Sequence, residues 1–285
     1  MGGSNGRTPK ARALGRALAD ARNERGVTQR YLAERIGVSH GTLARWETGH
    51  RTPDPTHVAQ ILTALEINGA RYDELLSMAR GASDRRWLAV TLPELRAQLF
   101  ALLDAEVSAV SIREVSPLLI PGLLQISSYT RAIMLDAEVP SDEVSTRVAL
   151  RMGRRDILTR GVNPARYLAI IGEAALRQVL GTPAVMVEQL RFVLEMAQRP
   201  NIEIRVVPFR SGWHPALEGP FFLIEPDEHQ SIVHLETRRS GIFLHEEEDV
   251  EAYRQAIDHM LRVALSREET STLIADVIKE MGVAG

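Results

Sequence analysis

With 285 residues, 45% of them hydrophobic, and no cysteine, the chain has the length of about two domains and excludes disulfides and thiolate metal sites. The net charge of -3 is unevenly spread: residues 1–60 hold ten Lys/Arg against five Asp/Glu and the remainder 24 against 32, so a phosphate-binding surface is expected only in the first segment. No apolar run approaches the ~18–20 residues that span a membrane, and MGGSNGRTPK has no apolar targeting region, so a cytoplasmic protein with no membrane partner is expected.

Residues 1–10 are Gly-rich and basic and read as a flexible tail. A first helix is expected from about Ala11 to Arg25, with Leu14, Leu18 and Ala21 on one face, ending at Gly26. Two short helices across a tight turn follow in Val27 to Pro53. Thr28 can cap the first, in which Leu32, Ala33 and Ile36 share a face, and Gly37 can end it. Ser39 can cap the second, whose Leu43 and Trp46 point to a core while His40, Gly41, Ala44 and Arg45 fall on the opposite face. Asp54, Pro55, Val58, Ile61, Leu62 and Leu65 predict a fourth helix stopped by Gly69, and Tyr72, Leu75, Leu76 and Ala79 a fifth. Gly81-Ala82-Ser83-Asp84 is the best linker, giving domains 1–82 and 83–285.

Thr28-Gln29, Leu32-Ala33, Ile36-Gly37-Val38-Ser39, Leu43, Arg45-Trp46-Glu47, Gly49, Arg51 and Pro53 agree in type and spacing with the Cro/C1-type (XRE) helix-turn-helix domain, which this segment resembles. The resemblance implies a five-helix domain that reads double-stranded DNA. Its contacts would come from Gln29, Ser39, His40, Gly41, Thr42, Ala44, Arg45, His50 and Arg51. Arg45 would read a base, while Gln29 and Thr42 would bind phosphates or brace neighbours. It also implies that Arg22 pairs with Glu47 and holds the first helix against the third.

The second half mixes helix and strand signals. An amphipathic helix is expected from Leu92 to about Ala109 on Leu95, Leu99, Leu102, Leu103 and Glu106, then a short strand in SAVSIREV. Leu118, Leu119, Leu123 and Leu124 flank a Pro121-Gly122 turn and must line the core or be covered by a partner. Helices are expected near Ser127, from Ser141 to about Thr159, around Ala174 to Val179, and from Pro183 to Gln198, with a strand at Tyr167 to Ile171. IEIRVVPF, FFLIEP and SIVHLE predict a small sheet, and helices at Glu247 to Leu265 and Arg267 to Met281, the latter capped by Ser266, close the chain.

Pro121-Gly122-Leu123-Leu124-Gln125 with Tyr129, Glu173-Ala174-Ala175-Leu176-Arg177, Met186 with Gln189-Leu190, Pro200-Asn201, Val206-Val207-Pro208, Gly219-Pro220-Phe221 and Ala264-Leu265-Ser266 make this half similar to domain of unknown function 5753 of actinobacterial regulators. That resemblance implies an antitoxin-like protein with a small protein partner. Arg147, Arg151, Arg154 and Arg155 would form a stripe suited to an acidic face of it.

His234, Glu236 and His245 are conceivable metal or acid/base groups, and His214 beside Trp213 and Glu218 a conceivable hydrolase corner, but no paired metal motif, nucleophile motif or phosphate loop accompanies them. No cofactor and no catalysis are expected. The expected fold is mainly α: a five-helix helix-turn-helix domain, then a larger α+β domain with a small sheet. The expected function is a transcriptional regulator reading a palindromic operator as a homodimer. The alternatives are an antitoxin-like protein whose main role is binding a small partner, with DNA binding for autoregulation, and an enzyme with a DNA tether.

Overall fold

The computed structural model of the protein describes residues 8–80, 86–88, 92–227, 230–236 and 241–283. Local chemistry sets the first helix starts. Thr8, Thr28, Ser39 and Asp54 cap α1 (Pro9–Glu24), α2 (Gln29–Arg35), α3 (His40–Glu47) and α4 (Pro55–Ala64), each side-chain oxygen accepting a backbone N–H of the first turn. Proline opens α1 and α4, where its missing N–H has no partner to lose. Gly69 precedes α5 (Ala70–Ala79).

The expected stop of the fourth helix at Gly69 is corrected. The helix ends at Ala64, Glu66 takes the left-handed conformation at φ 54°, and the Ile67 N–H closes onto the Leu62 carbonyl at 2.9 Å. Turning early lets both Leu65 and Ile67 enter the core.

Leu14, Leu18, Leu32, Leu43, Ile61, Leu62 and Leu75 are buried together by these five helices. The first and third approach until only glycine fits: a Cβ on Gly15 would stand 2.3 Å from the Trp46 carbonyl oxygen, and one on Gly49 2.7 Å from the Arg12 Cα. Gly15→Ala is therefore expected to force α1 off α3 and cost about 1–3 kcal/mol as overpacking. Its thermal unfolding checks this; an unchanged midpoint would mean that the helices part freely.

The chain continues with β1 (Arg86–Leu88), α6 (Leu92–Val107), β2 (Ala109–Ser116), α7 (Ser127–Asp136), α8 (Ser141–Arg154), α9 (Asp156–Thr159), β3 (Arg166–Gly172) and α10 (Glu173–Arg177). It closes with α11 (Pro183–Met196), β4 (Ile202–Val207), β5 (Phe221–Pro226), β6 (Ile232–Glu236), β7 (Gly241–Leu244), α12 (Glu247–Val263) and α13 (Arg267–Val283). The fold is thus mainly α, with the strands all after the helix-turn-helix.

Two compact units result, Met1–Ala105 with Glu228–Asp249, and Glu106–Asp227 with Val250–Gly285. The expected linker at 81–84, with the 82/83 boundary, and residues 1–7 of the expected tail lie outside the described residues. In the first unit β7 pairs antiparallel with both β1 and β6. Neither β1 nor β7 was expected from the sequence.

In the second unit the strand order is β5-β2-β3-β4, with β2, β3 and β4 parallel and β5 antiparallel to β2. The expectation that the C-terminal strands form a small sheet by themselves is corrected: β2 and β3 lie between β5 and β4. Parallel strands need a crossover, and α10 with α11 supplies the one between β3 and β4. Ser266 and Glu269 exchange backbone and side-chain hydrogen bonds of 2.8 and 3.2 Å, a capping box that starts α13. The leucine cluster divides: Leu123 and Leu124 are buried, whereas Leu118 and Leu119 stand in solvent.

Candidate nucleic-acid interface

Thr28, Gly37 and Ser39 together set the angle between α2 and α3. Gly37, at φ 72°, follows α2 in the left-handed conformation, and the Val38 N–H returns to the Ala33 carbonyl at 3.0 Å. Ser39 accepts the Thr42 N–H at 3.1 Å and shares a 2.8 Å bond with the Thr42 hydroxyl, so α3 starts from a fixed corner. Leu43, Trp46 and Glu47 are buried on one side of α3, while His40, Gly41 and Arg45 are exposed and Thr42 and Ala44 half-buried. A side chain with a forked donor set is thus presented to solvent in the last turn of the helix. Such a guanidinium can meet the two acceptors of a guanine edge.

The loop after α3 is tied to the same helix. The Arg51 N–H donates to the Arg45 carbonyl at 3.0 Å, and Thr48 links the Ala44 carbonyl (2.8 Å) to His50 Nδ1 (2.9 Å). His50 and Arg51 are both exposed beside Arg45 in sequence and held there by these bonds.

Beneath the exposed face lies an ion pair. Arg22 Nε donates to Glu47 Oε1 at 2.7 Å and Nη2 to Oε2 at 2.8 Å, a two-pronged contact, while Nη1 reaches Asn23 Oδ1 and the Val27 carbonyl, each at 2.8 Å. The side chains are 11% and 3% exposed, which separates this pair from the surface pairs of the chain. The hydrogen bonds to Glu47 hold the Arg22 pKa above its ordinary value against the opposing effect of burial. Gln29 Nε2 joins at 2.6 Å from Glu47 Oε2. Gln29 thus braces Glu47, one of the two roles foreseen for it.

The four arginines foreseen as a stripe for an acidic partner do not share a solvent face, and that expectation is corrected. Arg147 pairs with Glu143 at 2.6 Å on the surface. Arg151 donates to Gln125 Oε1 at 3.0 Å, Arg154 grips buried Glu106 through two bonds of 2.8 and 2.5 Å, and Arg155 donates to the Gln125 carbonyl and lies 4.3 Å over the Phe192 ring. A buried carboxylate and a buried amide need partners, and the arginines near the end of α8 fill that need.

Sequence reasoning missed the polar interior that these arginines join. Glu114 on β2 is buried, accepting the Gly122 N–H at 3.1 Å and the Tyr167 hydroxyl at 2.6 Å. Burial pushes its pKa to about 7, against the opposing pull of Tyr167 and the Arg154 charge. Gln189, also buried, accepts the Ile126 N–H at 2.8 Å and donates to the Leu124 carbonyl at 2.7 Å. Gln125 donates to the Ile120 carbonyl at 2.8 Å, so two glutamines and one acid fix the turn at Pro121-Gly122. The signal available was a lone acid on a strand and two glutamines beside apolar runs.

The remaining candidates are dispersed. On β6 His234 is buried against the ring of Phe243 from β7, Glu236 is exposed, and His245 is buried with its pKa lowered chiefly by that burial. His214 is buried, its Nδ1 has no hydrogen-bond partner among the described residues, and burial lowers its pKa. Among the described residues no group of three or more His, Asp or Glu could hold a metal ion, and no helix is long and apolar enough to cross a membrane.

Comparison with known families separates the same two regions. A family model described as a helix-turn-helix matches residues 18–70, and one described as a domain of unknown function, DUF5753, matches residues 99–276. None of the curated proteins matches the chain.

Proposed function

The chain belongs to the DUF5753 family and carries an XRE-type helix-turn-helix before that domain, and from this premise we propose that it regulates transcription by reading a palindromic operator as a homodimer. The observation that carries the reading is the exposed face of α3, with Arg45 in solvent and Leu43, Trp46 and Glu47 anchoring the opposite side. The excess of basic over acidic residues in 1–60, ten against five, supplies the attraction to phosphates that any such surface needs.

Two copies follow from energetics. One recognition helix buries too little to select a site from a genome, whereas two of them about 34 Å apart read adjacent major grooves of a two-fold site. A cytoplasmic location goes with this reading.

The test is Arg45→Ala, with operator and unrelated DNA titrated at several salt concentrations. Loss of a forked contact to guanine is expected to cost roughly 1–3 kcal/mol on the operator alone. Binding to unrelated DNA, and its salt dependence, should barely change. Equal losses on both DNAs would make Arg45 a phosphate contact and leave base reading to His40 and its neighbours.

A further inference from the structure

The three parallel strands of the Glu106–Asp227 unit end beside one another at Ser116, Gly172 and Val207, and the segments leaving them carry apolar side chains into water. Leu118, Phe209, Trp213 and Leu217 are 62–65% exposed. Phe209, Trp213 and Leu217, four residues apart on one loop, present on the order of 400 Å² of apolar surface, the scale of the patches that mark contact sites.

The loop that holds three of them is stiff. Glu173 Oε2 accepts the Phe209 N–H at 3.0 Å, the Ser211 hydroxyl donates to the Pro208 carbonyl at 2.8 Å, and Gly212 turns the chain at φ 69°. Trp213 packs on His259 with ring centroids 5.8 Å apart, and Pro215–Glu218 closes as a 3-10 turn. A ring held in solvent, as that of Trp213 is, loses little freedom on docking, as a rigid interface requires.

Charge selects the occupant. Arg210 stands next to Phe209 at one end of the loop and Glu218 next to Leu217 at the other; both are exposed, and neither has an ion-pair partner among the described residues. A surface with opposite charges at its two ends complements itself across a two-fold axis, where residue i meets j and j meets i. An acidic or a basic partner would leave one of the two unmatched.

We propose that the Phe209–Glu218 loop is the surface on which a second copy of this chain docks, with Arg210 of each copy against Glu218 of the other. The proposal rests on the homodimer reading and names its interface. The loop supplies about half of the ~800 Å² that each partner contributes to a standard interface, with Trp213, its largest exposed side chain, as the anchor.

The experiment is sedimentation of the full-length protein over a wide concentration range, with circular dichroism to show that each variant is folded. Wild type is expected to dimerise, and Trp213→Glu to weaken the dimer roughly 30-fold or more. Arg210→Glu and Glu218→Arg should each weaken it when alone. Mixed in equal amounts the two should recover it, because the mixed dimer restores both opposite-charge contacts. A wild-type dimer that Trp213→Glu leaves intact would overturn this surface while the homodimer reading stands. A wild-type monomer that also binds its operator singly would overturn both. Charge variants whose mixture recovers nothing would overturn the two-fold pairing.

Discussion

Glu47→Ala is expected to destabilise the helix-turn-helix by about 3–5 kcal/mol, because it removes one partner of a desolvated pair and leaves the other charge in place. Arg22 would keep its bonds to Asn23 and Val27 but lose both bonds to Glu47, and Gln29 would lose its acceptor as well. The carboxylate sits in the last turn of α3, so the loss falls on the recognition helix rather than on a distant part of the core. Amide hydrogen exchange along α1 and α3 in the full-length protein measures it. A second variant separates the pair from its surroundings: Arg22→Ala with Glu47→Ala should cost less than the two single changes added together, since it leaves neither charge buried alone. Protection changed by less than about 1 kcal/mol in Glu47→Ala would place the pair with ordinary surface bridges.

The second large effect is a pH dependence centred on Glu114. Its carboxyl titrates at about 7 in the folded chain against an ordinary 4.5, with burial as the main cause. The folded state therefore favours the protonated form. Stability is fully present below pH 4.5 and is lost as pH rises through 7, by roughly 3 kcal/mol in total. Glu114→Gln keeps the shape and hydrogen-bonding capacity without the charge, so its unfolding free energy should lack this loss. The comparison needs denaturant unfolding of both proteins at pH 5 and pH 8. Burial also lowers the pKa values of His214 and His245, but these histidines contribute alike to both proteins and cancel in the difference. If wild type and variant change in parallel, the carboxyl stays ionised in the fold, held by Tyr167, Gly122 and the charge of Arg154.

What could be read from the sequence was what short-range chemistry decides. Thr28, Ser39, Asp54 and Ser266 each cap the helix that follows them, using atoms three residues apart, and the buried positions of α3 follow its period. The pair Arg22 and Glu47, 25 residues apart, was reachable only through the resemblance of the whole segment to a known domain. The inward engagement of Arg154 depends on Glu106, 48 residues earlier, and no periodicity on α8 distinguishes it from exposed Arg147. Leu99 shows the same limit: it shares the apolar pattern of α6 with Leu102, yet Leu102 is buried and Leu99 exposed. Strand β1 is three residues long and β7 four, too short to show alternation, and their pairing is a property of residues far apart in the chain.

That separation bears on the order in which the protein is made. The leucines and isoleucines that α1 to α5 bury all lie within the first 80 residues, so the hydrophobic side of the DNA reader is synthesised early, while Arg16 of α1 waits for Asp104, its partner at 2.6 Å. Strand β1 ends at Leu88, but its partner β7 begins only at Gly241. Until then its backbone edge is unpaired and open to neighbouring nascent chains. A chain cut before residue 241 would keep the helix-turn-helix but leave β1 without this partner, so such shortened versions should aggregate more readily than the 285-residue chain.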